Sequence, residues 1–476
     1  MQATIRTIFT QLLLFILFVC ASITTQAQNT LSIVQCITYA EQNNLQIKQL
    51  GLNEQTANEN LRQAKANQYP NLSANASHSL SFGRNIDPTT NSFNTASIQS
   101  QQWGISGGIL LYQGGLLKRS IAQRNMQVTL AQLESESART NLKLNVLTAY
   151  LNILLAQSQL KVLQQQTKLT AEQYTNTQKL VNAGLIPEGN LLDLQAQQQN
   201  EALNITTAQN AVDAAYLGMG QLMNYTDNYK IVEPTVSLPS AINVSGYNVE
   251  QTYQTSLTTQ PSIKTASLRT KIAQQGLSIA QSGRMPSIAL SGGLNTRWSS
   301  LGKRLNEDGE FGIAQTPYFT SKFDSVYTIS FPFEDDPYFS QISNNFGNFL
   351  GLNVSIPIYN RREVKTSSAL AQIGIANAHI AEQIQQQDLR QTIERALLDA
   401  RAAAQKYEAV AATITAQQKA FDFAQKKYNL GTATALELFA AQNALTLSQL
   451  NAEAAKYDYI FKLKLLDYYA GQPITF

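Results

Sequence analysis

The residue types that most often carry catalysis or bind metals are few in this chain and widely separated. It has only two histidines, His78 and His379, and two cysteines, Cys20 and Cys36. A metal site needs several ligands at suitable spacing, and nucleophilic catalysis needs a nucleophile beside a base. The sequence contains neither arrangement, nor a glycine-rich phosphate loop. It therefore predicts no enzyme, no metal site and no cofactor.

One acidic run could bind a cation, although its spacing is generic. Glu334, Asp335 and Asp336 are consecutive, in a segment (311–349) that is rich in tyrosine and phenylalanine. Carboxylates bind hard cations, but three in a row are equally typical of a solvated turn, which we favour. For the whole segment we expect an outer loop that packs on itself or caps an opening. A ligand-binding or receptor loop is the alternative.

The secondary-structure elements that would position functional residues occur twice in the sequence. Between residues 45 and 72, adding 216 to a residue number reaches a similar residue, so that Pro70 corresponds to Pro286. From residue 112 the offset is 247, and Gly184 corresponds to Gly431. The change in offset places an insertion at about 299–345. Two tandem repeats follow from this pattern.

The boundaries of the repeats can be set from local composition. The apolar run 12–21 follows the single charge of Arg6 and precedes Thr25-Gln26-Ala27, a pattern typical of a cleaved signal peptide. We predict four segments: a signal peptide over 1–27, a first repeat over 28–227, a linker over 228–247 with Pro234 and Pro239, and a second repeat over 248–476.

Composition restricts the partners and the way a membrane could be crossed. Only 14% of the residues are charged and the net charge is +3. The sequence therefore has no basic patch that would indicate binding to nucleic acid. No run of about 20 apolar residues follows the signal peptide, and we predict no transmembrane helix. If the chain crosses a membrane, it must do so with strands.

Each repeat contains two segments with the alternation of a β-strand. We predict these strands at about 71–84, 101–113, 286–298 and 346–359. In the last one, Leu350, Leu352 and Val354 alternate with small or polar residues. Alternation over about ten residues is typical of a membrane-barrel strand with lipid on one side and water on the other. A half-buried soluble sheet alternates equally well, so the strands alone leave both alternatives open.

Long heptad patterns favour the membrane alternative. Apolar and small residues recur at spacings of three and four through 142–181 and 389–428. This is coiled-coil periodicity, and small residues allow helices to approach closely. A helix over about 115–182 would be about 100 Å long at 1.5 Å per residue. Breaks at Gly184 and Gly431 predict one helical hairpin per repeat, and rods of this length suit a structure that crosses a cell envelope.

Four strands per chain cannot close a barrel. Bacterial barrels begin at about eight strands, and open edges in lipid leave backbone groups without partners. Two copies would give eight strands and three would give twelve. Because an eight-stranded interior fills with its own side chains, a conducting barrel favours three copies. The predicted fold is an α/β membrane protein with four barrel strands and long coiled-coil helices per protomer.

Several segments together resemble the TolC family of outer-membrane efflux proteins. The turn Tyr428-Asn429-Leu430-Gly431-Thr432-Ala433-Thr434-Ala435-Leu436-Glu437-Leu438 is similar to the corresponding family turn. The stretch from Val34 to Pro70 resembles the first helix and strand entry, and the resemblance covers about 31–470. Richness in glutamine and asparagine and the long second outer loop resemble members from Bacteroidetes.

The resemblance implies a homotrimer in the cell outer membrane. Twelve strands would form one barrel in outer-membrane lipid, and twelve helices would form a periplasmic tunnel. It also implies that the hairpin turns receive a periplasmic adaptor protein, which is tied to an inner-membrane pump. The residues that match these contacts by position are Ala183, Gly184, Leu185, Leu430, Gly431 and Thr432.

A periplasmic gate is implied in the same way. Family members carry acidic residues shortly after the turn glycine; Glu437 matches such a position, and Asp193 is the proposed counterpart. A ring of three carboxylates would attract cations and repel anions, whereas a solvated surface charge is the alternative. Ala433 and Ala440 stand where the family often has a basic and an acidic residue, which leaves Tyr428 as the main polar link. Asp193 pairs with Glu437 at an offset of 244, which predicts a first turn three residues longer than the second.

Two functions remain open at this point. The favoured one is an exit duct of a tripartite efflux or type I secretion system, passive in itself. The alternative is a non-conducting coiled-coil spacer of the cell envelope. Small residues on one strand face favour the duct, because a solid spacer would fill its core with large apolar groups.

Overall fold

The computed structural model describes residues 29–86, 93–95, 97–234 and 247–472. The predicted signal peptide over 1–27 lies outside the described residues, as does most of the predicted linker (235–246). The chain divides into two compact units. Unit 1 comprises residues up to 54, 130–267 and 380 onward, and unit 2 comprises 55–129 and 268–379.

The described helices and strands follow the order expected of two tandem repeats. The helices are α1 (Ile33–Asn43), α2 (Leu45–Ala66), α3 (Leu116–Asn182), α4 (Gly189–Met223), α5 (Val249–Thr259), α6 (Pro261–Ser282), α7 (Tyr338–Asn344), α8 (Glu363–Asn429) and α9 (Ala435–Tyr469). The strands are β1 (Asn29–Leu31), β2 (Asn71–Ser81), β3 (Asn85–Ile86), β4 (Phe93–Asn94), β5 (Ile98–Gln113), β6 (Tyr229–Ile231), β7 (Ser287–Ser299), β8 (Lys303–Leu305), β9 (Gly312–Phe319), β10 (Ser325–Ser330), β11 (Phe333–Asp335) and β12 (Gly347–Ser355). Helices α3 and α8 have the same length, 67 residues.

Local sequence signals explain where several helices begin. Before α1, the Ser32 hydroxyl accepts a hydrogen bond from the Gln35 amide, and the Gln35 side chain accepts one from the Ser32 amide. This reciprocal pair satisfies two helix-end donors. Asn248 caps α5 and Thr434 caps α9 with a side-chain oxygen. Each cap removes unpaired N–H groups from a helix end.

Unit 1 has an apolar core built around the middle of α3. Val146, Leu147 and Ile153 are fully buried there. They pack with Cys36 of α1, with two methionines of α4 and with Ile460 of α9. Burial raises the pKa of the Cys36 thiol from 9.0 to about 12, which makes this cysteine a packing residue rather than a nucleophile.

The predicted heptad seams are the inward faces of the long helices. In unit 1, a second cluster packs four small residues of α8 (Ala396, Ala400, Ala403 and Ala404) against Tyr459 and Leu466 of α9. Every predicted seam position from 142 to 181 and from 389 to 428 is buried or half-buried. Small side chains at these positions let the helix backbones approach closely.

One helix departs from the prediction that no membrane-spanning stretch follows the signal peptide. Among the described residues, α3 contains an 18-residue window with a mean hydropathy of 1.2, apolar enough by composition to span a bilayer, of which 33% is buried. The same helix contributes Leu142, Leu151 and Leu154 to the core of unit 1. Core packing therefore accounts for apolar residues in α3.

Unit 2 contains a four-stranded antiparallel sheet in the order β12-β7-β5-β2. Strand β12 ends at Ser355, so Ile356 and Ile358, which were expected to continue it, lie beyond the strand. Pro357 accounts for this difference, because it has no N–H to donate to a ladder. Strand β2 ends at Ser81, shortly before Gly83 with φ +98°.

The predicted insertion of the second repeat is an ordered loop with its own pairing. Strand β8 pairs with β11, and β9 pairs with β10. Two of the three carboxylates of the acidic run are engaged in ion pairs, Glu334 with Arg304 at 2.6 Å and Asp335 with Lys303. Both ion pairs cross from β11 to β8, so they connect two strands of the same loop.

Candidate functional site

The sheet of unit 2 has two chemically different faces. Across the sheet, Leu72, Gly107, Gly292 and Leu350 form one row, and Ala74, Ile105, Leu294 and Asn348 form the next. Large side chains of this face are exposed in the single chain, including Leu350 at 79% and Trp103 at 48%. Monomeric soluble proteins rarely expose so continuous an apolar surface.

The opposite face carries small and polar side chains. Its rows include Ser73, Ser106, Gly293 and Phe349, followed by Asn75, Gly104, Asn295 and Gly347. Ser73 and Ser106 place their hydroxyls 3.4 Å apart across the strands. Phe349 is the one large apolar side chain in these two rows, and it lies over Gly293, where an added methyl group would meet the ring at 2.8 Å.

Both helical hairpins of unit 1 turn through the same backbone motif. Gly184 has φ +71° and Gly431 has φ +72°. In the first turn, Gly184 donates to the Val181 carbonyl and Leu185 to the Leu180 carbonyl, both at 2.9 Å. The second turn repeats this pattern with Gly431 and Thr432 as donors to Tyr428 and Lys427. This is a Schellman motif, in which a left-handed residue lets two amides satisfy carbonyls at the helix end.

The six residues matched to adaptor contacts are all exposed at these turns. Leu185 is 70% exposed and Leu430 is 78% exposed. Nothing lies within 4 Å of the place where a side chain would begin at either glycine. The turns thus present open backbone flanked by apolar side chains. The linking segments are 183–188 and 430–434, so the first is longer by one residue and the predicted difference of three is wrong.

The three residues matched to a gate lie in different settings. Tyr428 is half-buried and its hydroxyl lies 3.3 Å from that of Thr177, which links α8 to α3. Glu437 is exposed in the first turn of α9, and its amide is capped by Thr434. Asp193 is exposed in the second turn of α4. Within the described part of the chain, neither carboxylate forms an ion pair. Tyr428 packs against the cluster that contains Leu438, the residue after Glu437.

The two acidic residues do occupy related positions. Each precedes a buried leucine, Leu194 in α4 and Leu438 in α9, both 1% exposed. They differ in their distance from the helix start, because Glu437 is the third residue of its helix and Asp193 the fifth. Only at Glu437 is the negative charge in the first turn, where the helix dipole stabilises it.

A buried polar cluster in unit 1 was not anticipated from the sequence. The Glu201 carboxylate of α4 is 4% exposed. It accepts hydrogen bonds from Thr170 at 2.8 Å and Gln197 at 2.9 Å. Gln442 of α9, 1% exposed, donates to the Thr170 hydroxyl at 3.0 Å. The available signal was the change of the predicted seam from apolar residues to Thr167, Thr170 and Thr177, with Gln166 and Gln173 next to seam positions.

No metal centre accompanies these features. Over residues 29–86, 93–95, 97–234 and 247–472, no group of three or more His, Cys, Asp or Glu side chains is arranged to hold a metal ion.

Comparison with known proteins gives one family for nearly the whole chain. The family model described as outer membrane efflux protein matches residues 36–224 and 252–472. The outer membrane protein TolC of Escherichia coli K12 is 22% identical over 444 residues, which are 91% of this chain and 80% of TolC.

Solved structures with this fold include two outer-membrane proteins. The CmeC outer membrane channel of Campylobacter jejuni superposes with a TM-score of 0.71 at 15% identity, over 92% of this chain and 85% of CmeC. The outer membrane protein VceC of Vibrio cholerae superposes with a TM-score of 0.70 at 15% identity, over 93% of this chain and 97% of VceC. The resemblance of the sequence to family members from Bacteroidetes stays a prediction.

Proposed function

The chain belongs to the outer membrane efflux protein family, and from this membership we propose that it is the passive exit duct of a tripartite export assembly. Its fold is that of the TolC-type channels, with a β-barrel in the outer membrane and an α-helical tunnel in the periplasm. Channels of this family form trimers and work with periplasmic adaptors and inner-membrane pumps.

The two-faced sheet is the observation that carries the proposal. One face is apolar and exposed in the single chain, as lipid contact requires. The other face carries small and polar side chains, which leave room for water. Within the described sheet, β2 and β12 each pair on one side only. Since unpaired edges are unfavourable in lipid, three copies that pair β2 with β12 would close a barrel of twelve strands.

The adaptor is proposed to bind at the hairpin turns. The left-handed glycines expose backbone where a partner helix can approach closely, and Leu185 and Leu430 supply apolar contact area. The repeated Schellman geometry would offer equivalent docking turns in each repeat. An inner-membrane pump would be coupled through the adaptor.

The gate is proposed to involve Tyr428, Glu437 and Asp193. Tyr428 ties α8 to α3 through Thr177, and movement of the second hairpin would break this link. Rings of three exposed carboxylates at Glu437 or Asp193 would favour cations over anions in the open pathway. We assign the protein no catalytic role, since the family function is transport.

A structural spacer is the rival function. It is disfavoured by the polar face, because Ser73, Asn75 and Gly104 would leave a solid core poorly packed. The pump determines which cargo is exported, whether drugs, metals or proteins. It also determines whether the duct serves efflux or type I secretion.

Single-channel conductance of the purified trimer in a planar bilayer tests the duct. We expect a small, cation-selective conductance, and weaker cation selectivity in Glu437→Gln. Asp193→Asn is measured in parallel to compare the two rings. Glu172→Gln, an exposed carboxylate on α3, removes the same charge outside the proposed gate and serves as the control.

The outcomes separate the alternatives. Conductance with unchanged selectivity in both Glu437→Gln and Asp193→Asn would retain the duct and reject the carboxylate gate. A folded trimer that conducts in no variant would reject the duct in favour of the spacer.

A further inference from the structure

The described residues at one end of the four-stranded sheet carry a concentrated positive charge. Gln113 pairs with Ser287, Ser287 pairs with Ser355, and Asn71 pairs with Gly108. The four strands therefore share this end. Just beyond it lie five exposed cationic side chains, which we call the junction patch: Lys118, Arg284, Arg361, Arg362 and Lys365.

The segments that carry the junction patch are neighbours in unit 2. A methyl group built on Gly114 would lie 2.6 Å from the Met285 side chain, and one built on Gly283 would lie 3.0 Å from that of Val364. Arg119 donates to the Ser278 carbonyl at 2.9 Å. The strand-to-helix junctions of the two repeats thus pack together.

Almost no negative charge opposes the patch. Glu363 is the only acidic residue in the junction segments 67–70, 114–122, 282–286 and 356–366. None of the five patch cations forms an ion pair with a described residue. A cluster of like charges repels itself, so an anionic partner would stabilise it.

The two arginines occupy a backbone conformation that disfavours them. In the first repeat the junction is Gly114-Gly115, with φ +56° and +77°. Adding 247 gives Arg361 and Arg362, with φ +49° and +66°. Both junctions begin a helix in the same way, since Gly115 accepts from the Arg119 amide and Arg362 from the Thr366 amide. Glycine fits the left-handed region freely and arginine does not. Residues held in such strained conformations cluster at functional sites.

We propose that the junction patch binds the headgroups of anionic phospholipids at the membrane surface where the barrel strands end. This inference rests on the proposed function, because the apolar sheet face must lie in a bilayer. The patch follows directly after the apolar rows of β7 and β12, at the level where hydrocarbon gives way to headgroups. Basic side chains at such a boundary are attracted to anionic lipid.

A variant that copies the first repeat separates strain from lipid binding. Arg361→Gly/Arg362→Gly should raise the melting temperature of the full chain in a neutral detergent, because the left-handed strain is relieved. The same variant should lose the stabilisation that phosphatidylglycerol gives the wild type. With about a fivefold loss of affinity per charge removed, we expect about a 25-fold weaker retention of phosphatidylglycerol.

Native mass spectrometry in mixed phosphatidylglycerol and phosphatidylcholine micelles measures this retention. Lys322→Gln, an exposed cation in the outer loop, is the matched control and should bind lipid like the wild type. Addition of inorganic phosphate distinguishes a phosphate site from a lipid site, because a lipid site should retain phosphatidylglycerol in its presence.

Equal retention of phosphatidylglycerol by the wild type and the glycine variant would overturn the proposal, as would displacement of the lipid by inorganic phosphate. Conductance is recorded on the same samples. A trimer that conducts but shows no preference for anionic lipid would reject the lipid site alone, whereas failure to conduct would reject the duct.

Discussion

At the scale of single residues, the turn glycines have the most specific backbone role. Gly184 and Gly431 adopt nearly the same positive φ, and both amides complete Schellman hydrogen bonds. The space around both is open, so a larger residue would meet strain in the backbone rather than a clash. The requirement for glycine at these positions is therefore conformational.

Replacement by alanine tests this requirement. We expect Gly184→Ala and Gly431→Ala each to lower the stability of the folded protein by about 1 kcal/mol, because alanine disfavours the left-handed conformation. Gly374→Ala, in an exposed helix interior with open space around it, should have the opposite effect. Thermal unfolding in detergent measures all three, and equal effects at the three sites would contradict the backbone explanation.

At the scale of elements, the polar cluster around Glu201 joins three helices of unit 1. It connects α4 through Glu201, α3 through Thr170 and α9 through Gln442. Gln166 extends the cluster by accepting from Thr446 at 2.9 Å. Buried polar groups at heptad positions are a known means of fixing helix register.

Removal of the carboxylate should expose the importance of this cluster. We expect Glu201→Ala to destabilise the protein by about 2 kcal/mol, because the buried hydroxyl of Thr170 and the half-buried amide of Gln197 lose their acceptor. Glu172→Ala, an exposed glutamate on α3, should change stability by no more than about 0.5 kcal/mol. Denaturant titration of both variants is the measurement, and comparable losses would argue against a buried role for Glu201.

The four-stranded sheet requires different side chains on its two faces. Leu350 lies on the apolar face of β12 and Asn353 on the polar face. We expect Leu350→Arg to destabilise the folded barrel by about 2–4 kcal/mol if it lies near the bilayer centre. Asn353→Arg should leave folding largely intact and change ion selectivity instead. Urea unfolding in lipid vesicles, combined with conductance, tests this, and a reversed order of stability would mean that the faces are assigned the wrong way round.

At the scale of the whole molecule, the single chain is incomplete as a membrane structure. Its exposed apolar face and singly paired edge strands need neighbours. We expect native mass spectrometry to find three chains per complex, because twelve strands enclose a pathway and eight do not. A two-chain complex would contradict the duct.

Much of this architecture could be predicted because it depends on periodic patterns. Alternation at two residues predicted the four sheet strands, and spacings of three and four predicted the seams of α3 and α8. The repeat offset located the paired turns at Gly184 and Gly431. These features are local, and a single sequence is sufficient to display them.

The sequence by itself thus determined the repeats, the strand faces, the long helices and the positions of the turns, since each follows from residue type and spacing. Only the tertiary structure decided which distant groups meet. It joined Glu201, Thr170 and Gln442, paired Glu334 and Asp335 with basic residues, and gave Arg361 and Arg362 the conformation of a glycine pair. The physical reason is that such contacts depend on how elements pack across long separations in sequence, and periodicity carries no information about them.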